Sequence, residues 1–205
     1  MAANKKIILF AAIFISGLGI SAILPHDYFT WILEVFPAII GFFLILITRN
    51  SFPLSNFLLV LILIHSYVLF IGGHYTYAEV PLFNYLKEIL HQSRNNYDKI
   101  GHFMQGFVPA LVAREILLRK NILNRKSWLS FLCVCICLAI SACYELLEAA
   151  VAILTGDSAE AFLGTQGYVW DTQSDMFYAM IGAIIALTFF SKWQDRSIEK
   201  VNGAA

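Results

Sequence analysis

Three short segments of the chain contain the residue types that bind metal ions or transfer protons. In the first segment, Asp98, His102 and Gln105 follow one another at intervals of four and three residues. At 100° per residue of helix, His102 and Gln105 fall within about 40° of Asp98, so the three form one polar stripe. A helix cap explains Asp98 alone, because His102 and Gln105 lie one and two turns deeper.

The other two segments each contain a pair of acids. Glu145 and Glu148 are three residues apart and share a helix face, and Asp171 and Asp175 are four apart. Two alternatives stay open: Glu148 reaches the lipid headgroups, and Asp175 forms a capping box with Thr172. Helical bundles build metal sites from His and carboxylates at such spacings on facing helices.

We therefore expect the three segments to meet in one polar pocket. The candidate catalytic residues are His102, Glu145 and Asp171. The candidate ligands of a divalent metal ion are His102, Glu145, Glu148, Asp171 and Asp175. Polar residues of these segments and of nearby loops are candidates for ligand binding: His74, Asp98, Gln105, Glu148, Gln166, Gln173 and Asp175.

Six apolar stretches carry these residues, at about residues 7–24, 31–48, 54–71, 100–118, 128–150 and 172–191. Each has about the 17–25 residues that a helix needs to cross a bilayer. The chain is 59% hydrophobic and only 14% charged, against about 25% charged in a typical soluble domain. Backbone in lipid must satisfy its own hydrogen bonds. The sequence therefore predicts an all-α, polytopic membrane bundle forming a single domain over residues 1–205.

The charged residues predict the orientation of this bundle. Eleven of the 14 Lys and Arg fall on the side of the N-terminus, the second and fourth loops and the C-terminus. The positive-inside bias places that side, with both termini, in the cytoplasm. Eleven of the 14 acids fall on the other side, so the polar pocket is expected at the outer face of the membrane. Scattered basic residues in a chain of zero net charge do not suggest nucleic acid binding.

Four local features give further expectations. Gly72-Gly73 is predicted to end the third helix in the left-handed conformation, and Pro81 to open an interfacial helix over Leu82–Leu90. The four cysteines between residues 128 and 150 point in different directions, as expected of buried apolar residues.

Glu34 and His65 are ionisable residues inside apolar stretches. We interpret Glu34 as reaching the interface and His65 as a hydrogen-bonded packing residue, although such groups are functional candidates by default.

The chain resembles the YjdF-like family of uncharacterised bacterial inner-membrane proteins over roughly residues 60–190. The resemblance rests on five motifs: Gly72-Gly73-His74-Tyr75-Thr76-Tyr77, Asn96 to Gly106, Tyr144 to Glu148, Gly164-Thr165-Gln166-Gly167 and Trp170 to Met176. At Tyr168 the chain departs from the family, in which an acid often occupies that position. The resemblance implies a polytopic membrane protein and supplies no reaction. Asp98-Lys99-x-x-His102-Phe103 is more distantly similar to VanZ-like membrane proteins.

Two functions fit these patterns. The first is a metal-dependent hydrolase or transferase that acts on a lipid-linked substrate at the outer face. The alternative is a protein that binds or transports a cation or small molecule through the same carboxylates, without catalysis. A transporter of the common kind has repeated halves and helices broken near the midplane, and this sequence shows no repeat. The lipid bilayer is the partner that the composition itself implies.

Overall fold

The structure is a computed structural model that describes residues 2–155 and 169–203. Its described residues form helices and no strands, which confirms the all-α prediction. The helices are α1 (Ala2–Ser21), α2 (Tyr28–Thr48), α3 (Asn56–Tyr75), α4 (Pro81–Ile89), α5 (Tyr97–Arg119), α6 (Leu129–Thr155), α7 (Asp171–Ile185) and α8 (Ser191–Asn202). A 3-10 turn, Lys126–Trp128, precedes α6, and a π-helical turn, Ala186–Phe190, joins α7 to α8.

Four of the described helical segments are long and apolar enough to cross a membrane: α2, α3, the segment Lys126–Thr155 and the segment Asp171–Val201. The helices α1 and α5, which the sequence also predicts to cross, are not among the four. Polar and charged residues lower the mean hydropathy of α5. It carries Arg114 and Glu115, which are 8% and 0% exposed, so these charges face protein and not lipid.

Helix α5 is central in the bundle and packs on α3, α6 and, most extensively, α7. Two glycines permit the close crossing of α5 and α7. A methyl group at Gly106 would overlap the backbone carbonyl of Ala179, and one at Gly182 would overlap the carbonyl of Phe103. The missing side chains let the two backbones touch, as small residues do in membrane helix pairs. This crossing sets His102 on α5 beside the first turn of α7.

The prediction for Gly72-Gly73 is wrong, because α3 continues through both glycines to Tyr75. The left-handed residues are Thr76 and Tyr77, with φ of 58° and 48°. The glycines serve packing instead. The ring of Tyr77 lies directly on Gly72 and also fills the space over Gly101 on α5, so Tyr77 joins the end of α3 to the start of α5.

The buried charged side chains near the C-terminal end of α5 form hydrogen bonds and ion pairs. The carboxylate of Glu115 accepts hydrogen bonds from the N–H of Ser55 at 2.8 Å, the hydroxyl of Ser55 at 2.6 Å and Arg119 at 2.9 Å. Arg114 donates to Gln194 at 3.0 Å and to Asp195 at 2.7 Å. These bonds fix the start of α3 and the start of α8 against α5.

The remaining elements complete the bundle. Phe10 and Phe14 of α1 stack on Phe42 of α2, and Phe70 of α3 meets Phe14 edge-on. Helix α4 has no buried residue, as expected of a helix lying in the interface. The cysteines are all free. Cys133 and Cys137 are buried, whereas Cys135 and Cys143 are exposed on α6, so the expectation of burial is correct for two of the four.

Candidate functional site

His102 lies between two carboxylates that come from different helices. Its Nδ1 is 3.8 Å from Oε1 of Glu145 on α6, and its Nε2 is 3.8 Å from Oδ2 of Asp175 on α7. One ligand atom from each of these three residues lies within 4.8 Å of the other two. We call His102, Glu145 and Asp175 the His102 cluster. An imidazole binds one ion through a single ring nitrogen, so only one of these two 3.8 Å separations can be between two ligands of the same ion. Two atoms bound to one ion at about 2.1 Å are at most about 4.2 Å apart, so either separation taken alone fits shared coordination, with the third residue's ligand atom within 4.8 Å.

Hydrogen bonds leave part of this cluster unsatisfied. Nδ1 of His102 is 3.2 Å from the amide oxygen of Gln105. Oε1 of Glu145 and Oδ1 of Asp175 are buried and have no hydrogen-bond partner among the described residues. Native proteins rarely leave buried polar atoms in this state, and such atoms call for an explanation such as an ion. The unsatisfied oxygens therefore indicate where a cation would bind.

A second acidic group is held by an arginine. Arg94, in the loop before α5, forms ion pairs with Asp98 and with Asp171, the latter at 2.7 Å. Asp98, Asp171 and Asp175 also lie close enough together to share an ion. The guanidinium of Arg94 already forms ion pairs with both Asp98 and Asp171. We therefore assign the metal-binding geometry to the His102 cluster and not to this group.

Glu34 faces the same region from α2. It is 6% exposed, and the hydroxyl of Tyr144 on α6 lies 3.4 Å from its Oε2. The hydroxyl of Tyr77 also interacts with Glu34. Burial, followed by the nearby charge of Glu34, raises the pKa of Tyr77 well above its usual value, so this phenol stays protonated and acts as a donor. Glu34 therefore points into the bundle, and its interpretation as an interface-reaching residue is wrong.

A cavity of about 630 Å³ runs beside these residues. Ligand pockets are typically about 300–1,000 Å³. The end nearest the site is lined by Glu34, Arg94, Asp98, His102, Asp171 and Asp175. The cavity continues between α2, α3 and α5 past apolar side chains such as Leu44, Ile62 and Val112, to Thr48 and Lys120 near the other end of the bundle. The cavity is therefore polar at one end and apolar along the rest of its length.

The structure brings most of the predicted site residues together. Asp98, Gln105, Glu148, Asp171 and Asp175 line the cavity with His102, and Glu145 contacts His102 from α6. Two described candidates lie elsewhere. Gln173 is exposed on α7, because it is two residues from both Asp171 and Asp175 and faces away from them. His74 does not line the cavity; its Nδ1 meets the backbone oxygen of Ser21 at 3.0 Å. Gln166 lies outside the described residues.

The capping-box alternative for Asp175 is wrong. Helix α7 begins at Asp171, with Trp170 as its N-cap and no side-chain cap bond. Thr172 is therefore inside the first turn, not before it. Asp175 is 6% exposed and points toward His102, which frees it for the site.

Sequence reasoning missed Arg94, Tyr77 and Glu34 as parts of the site. Arg94 lies in a loop before α5; it is four residues from Asp98, but no sequence spacing connects it to Asp171. The available signal was its charge: it is one of three basic residues on the acidic side of the chain. Tyr77 and Glu34 are single residues whose partners become visible only when the helices are packed.

Comparisons with known proteins agree with the membrane architecture. The family described as "Predicted membrane protein (DUF2238)" matches residues 6–196. The chain is 49% identical over 182 residues to the inner membrane protein YjdF of Escherichia coli (strain K12), which covers 89% of this chain and 86% of that protein. No solved structure matches the chain. The protein is a multi-pass protein of the bacterial inner membrane, and it belongs to the DUF2238 family of predicted membrane proteins.

Proposed function

We propose that this protein is a metal-dependent hydrolase or transferase that acts on a lipid-linked substrate at the outer face of the inner membrane. One observation carries the proposal. His102 is flanked by Oδ2 of Asp175 and by Oε1 of Glu145, which is buried and has no hydrogen-bond partner among the described residues. The other carboxylate oxygen of Asp175, Oδ1, is likewise buried and without such a partner, and this cluster adjoins a cavity that is polar at one end and apolar along its length. A metal ion would occupy the cluster, and an amphipathic substrate would occupy the cavity.

The proposal includes a topology of six membrane-spanning helices, α1, α2, α3, α5, α6 and the segment from α7 to α8, in a single domain over residues 1–205. Both termini lie in the cytoplasm. Support comes from the 11-to-3 division of Lys and Arg and from the internal partners of the α5 charges Arg114 and Glu115. In this orientation the His102 cluster is at the outer end of the bundle.

Electrostatics supports a cation in the His102 cluster. Two carboxylates in a low-dielectric interior repel each other and cost several kcal/mol unless they are paired or neutralised. A divalent ion supplies two positive charges for Glu145 and Asp175, and the neutral imidazole of His102 supplies a nitrogen ligand. Three protein ligands leave coordination positions for water and substrate, as in catalytic metal sites.

Asp171 has a different role in this proposal. Arg94 holds it at 2.7 Å beside the cavity, within reach of a substrate bound there. In hydrolysis, a water molecule would attack the group linked to the lipid, Asp171 would accept the proton of that water, and the leaving oxygen would take up a proton as its bond breaks. In a transferase, an acceptor hydroxyl would replace the water. The metal would stabilise the charge that develops in the transition state.

The alternative is cation or small-molecule binding or transport without catalysis. One observation favours it: the cavity continues from the acidic end past His65 to Lys120 at the other end of the bundle. A path that connects both ends is more than an outer-face hydrolase requires.

The two functions are separated by incubating the purified protein with a bacterial lipid extract, with and without Mn²⁺, and recording lipid products by mass spectrometry. The hydrolase or transferase gives products that need both the metal and Glu145. A transporter instead gives Mn²⁺ uptake into proteoliposomes and no change in any lipid. Absence of metal-dependent products, together with such uptake, would contradict the proposed function.

A further inference from the structure

Gly41, in the middle of α2, has neither of the features that commonly explain a glycine inside a helix. It continues α2 without a left-handed backbone conformation, and a methyl group added to it would meet no described neighbour within 4 Å. Gly106 and Gly182, by contrast, touch the backbone of another helix. A glycine destabilises a helix interior relative to alanine, so the empty space over Gly41 calls for another explanation.

The space over Gly41 is part of the cavity, and the cavity opens there to the outside of the bundle. Gly41 lines the cavity together with Leu44 of the same helix and Ile140 of α6. Leu44 is 57% exposed and Ile140 is 41% exposed, so each borders both the cavity and the surroundings of the protein. We call the gap bordered by Gly41, Leu44 and Ile140 the α2–α6 opening. Because α2 and α6 span the membrane, this opening faces the hydrocarbon of the bilayer.

The packing of the helices explains why the opening exists. Among the described helices, α2 packs mainly on α3, and α6 packs on α5 and α7, whereas α2 and α6 pack little on each other. Toward the outer end, the hydroxyl of Tyr144 on α6 lies 3.4 Å from Oε2 of Glu34 on α2. This contact holds α2 and α6 too close at that level to admit a helix of another protein, which is about 10 Å across. A hydrocarbon chain is thinner and more flexible than a helix.

We propose that the hydrocarbon chain of a bilayer lipid lies in the α2–α6 opening, with the headgroup of that lipid at the acidic end of the cavity. The inference rests on the proposed function, because it takes this lipid to be the substrate. It adds that the substrate enters sideways from the bilayer and not from water. Gly41 is the residue that leaves room for the chain.

The order of polar and apolar residues along α2 fits a lipid. The residues of α2 that line the cavity are three or four positions apart or adjacent, so they form one helix face, and only the first and last of them are polar: Glu34, Pro37, Ala38, Gly41, Leu44, Ile45 and Thr48. From Glu34 to Thr48 the helix rises roughly 21 Å at about 1.5 Å per residue. One leaflet contributes about 15 Å of hydrocarbon, half of the bilayer core. The apolar face of α2 is therefore long enough for a full acyl chain.

Helix α3 also contributes to the cavity, through Ile62, His65, Ser66 and Leu69. The hydroxyl of Ser66 donates to the backbone oxygen of Ile62 at 2.8 Å. Nε2 of His65 is buried in protein and has no hydrogen-bond partner among the described residues, so the interpretation of His65 as a hydrogen-bonded packing residue is wrong for this atom. Neither the hydroxyl proton of Ser66 nor Nε2 of His65 is offered to a ligand, which suits an apolar occupant.

The test fills the opening with side chains of increasing size. Delipidated wild-type protein, Gly41→Ala, Gly41→Leu and Gly41→Phe are titrated in detergent with dioleoyl phosphatidylglycerol, and bound lipid is measured by native mass spectrometry. We expect about one lipid per wild-type chain and an affinity that falls as the side chain grows. Each buried methylene contributes roughly fourfold to affinity, so Gly41→Phe should bind at least about tenfold more weakly.

The matched control is Gly19→Phe. A methyl group at Gly19 also meets nothing within 4 Å, and Gly19 does not line the cavity, so this variant should bind lipid as the wild-type protein does. Thermal unfolding without lipid checks the folding of every variant, and no loss is expected because the space over Gly41 is open. If Gly41→Phe does not fold, Gly41→Leu decides.

Four outcomes would overturn the inference. They are no bound lipid in the wild-type protein, equal affinity in the wild-type protein and Gly41→Phe, displacement of the lipid by glycerol 1-phosphate, and a wild-type dimer that excludes lipid. The third would show that a headgroup from water suffices, and the fourth that a second copy of the chain covers the opening.

Metal content measured on the same samples separates this inference from the proposed function. Lipid binding that depends on Gly41 in a protein without metal would sustain the lipid site and contradict the metal-dependent enzyme. Bound metal, together with equal lipid binding by the wild-type protein and Gly41→Phe, would contradict the lipid site and leave the metal site intact.

Discussion

Nε2 of His102 lies 3.8 Å from Oδ2 of Asp175, one helical turn from the close backbone contact of Gly106 on α5 with Ala179 on α7. This distance is too long for a hydrogen bond and suits two ligands of one ion. It depends on the glycines of the crossing, because Gly106 and Gly182 let the backbones of the two helices touch. The close packing of α5 on α7 therefore also sets the distance between His102 and Asp175.

The first prediction concerns this crossing. Gly106→Ala should lower the thermal unfolding temperature, because the added methyl group overlaps the carbonyl of Ala179. Overpacking of this kind costs about 1–3 kcal/mol. The matched control is Gly19→Ala, since a methyl group at Gly19 meets nothing within 4 Å. Equal unfolding temperatures for the two variants in detergent would show that the helices do not touch there.

The second prediction concerns Arg94. Arg94→Ala should destabilise the protein by roughly 1–3 kcal/mol, because it leaves Asp98 and Asp171 without their ion pair. Adding Asp171→Asn to this variant should recover part of the loss, since it removes a carboxylate charge that has lost its ion pair with Arg94. Arg49→Ala is the control, because Arg49 is exposed and donates only to the backbone oxygen of Leu46 among the described residues. Additive effects of the Arg94 and Asp171 changes in thermal unfolding would disprove the pairing.

Sequence patterns predicted the helices and much of the site for a physical reason. A stripe such as Asp98, His102 and Gln105 follows directly from helical periodicity, and it does line the cavity. Periodicity does not reveal what lies opposite a residue. The glycines at 72 and 73 looked like a helix end because the sequence does not show their partners, which are the ring of Tyr77 over Gly72 and the helix α2 beside Gly73. Arg94 was missed because its contacts with Asp98 and Asp171 depend on a loop and on the packing of α7.

The third prediction is the topology. A reporter fused after Asn124 should be active on the cytoplasmic side, and one fused after Gly156 on the outer side. The physical reason is the excess of Lys and Arg on the side of the termini. Alkaline phosphatase and green fluorescent protein fusions at both positions give the measurement. The reversed pattern would move the His102 cluster to the cytoplasmic face and rule out an outer-face substrate.

The fourth prediction contrasts two buried glutamates. Glu115→Gln should lower stability by roughly 2–4 kcal/mol, since Glu115 is fully buried and accepts three hydrogen bonds. Glu145→Gln should leave the metal-free protein at least as stable, because it removes a buried charge whose Oε1 has no hydrogen-bond partner in the described part of the chain. Thermal unfolding in detergent with a chelator compares them. A larger loss for Glu145→Gln would mean that Glu145 is a structural ion-pair partner of His102.

The most direct test of the metal site is the metal content of the purified protein. Bound metal is removed from the wild-type protein and from His102→Ala with a chelator, and each protein is dialysed against Mg²⁺, Mn²⁺ or Zn²⁺ in turn. The metal content is then measured by elemental mass spectrometry. Glu115→Gln serves as a control for changes that affect stability alone. We predict about one ion per chain in the wild-type and Glu115→Gln proteins and none in His102→Ala. A wild-type protein that retains no ion, or a His102→Ala protein that retains as much, would contradict the metal site.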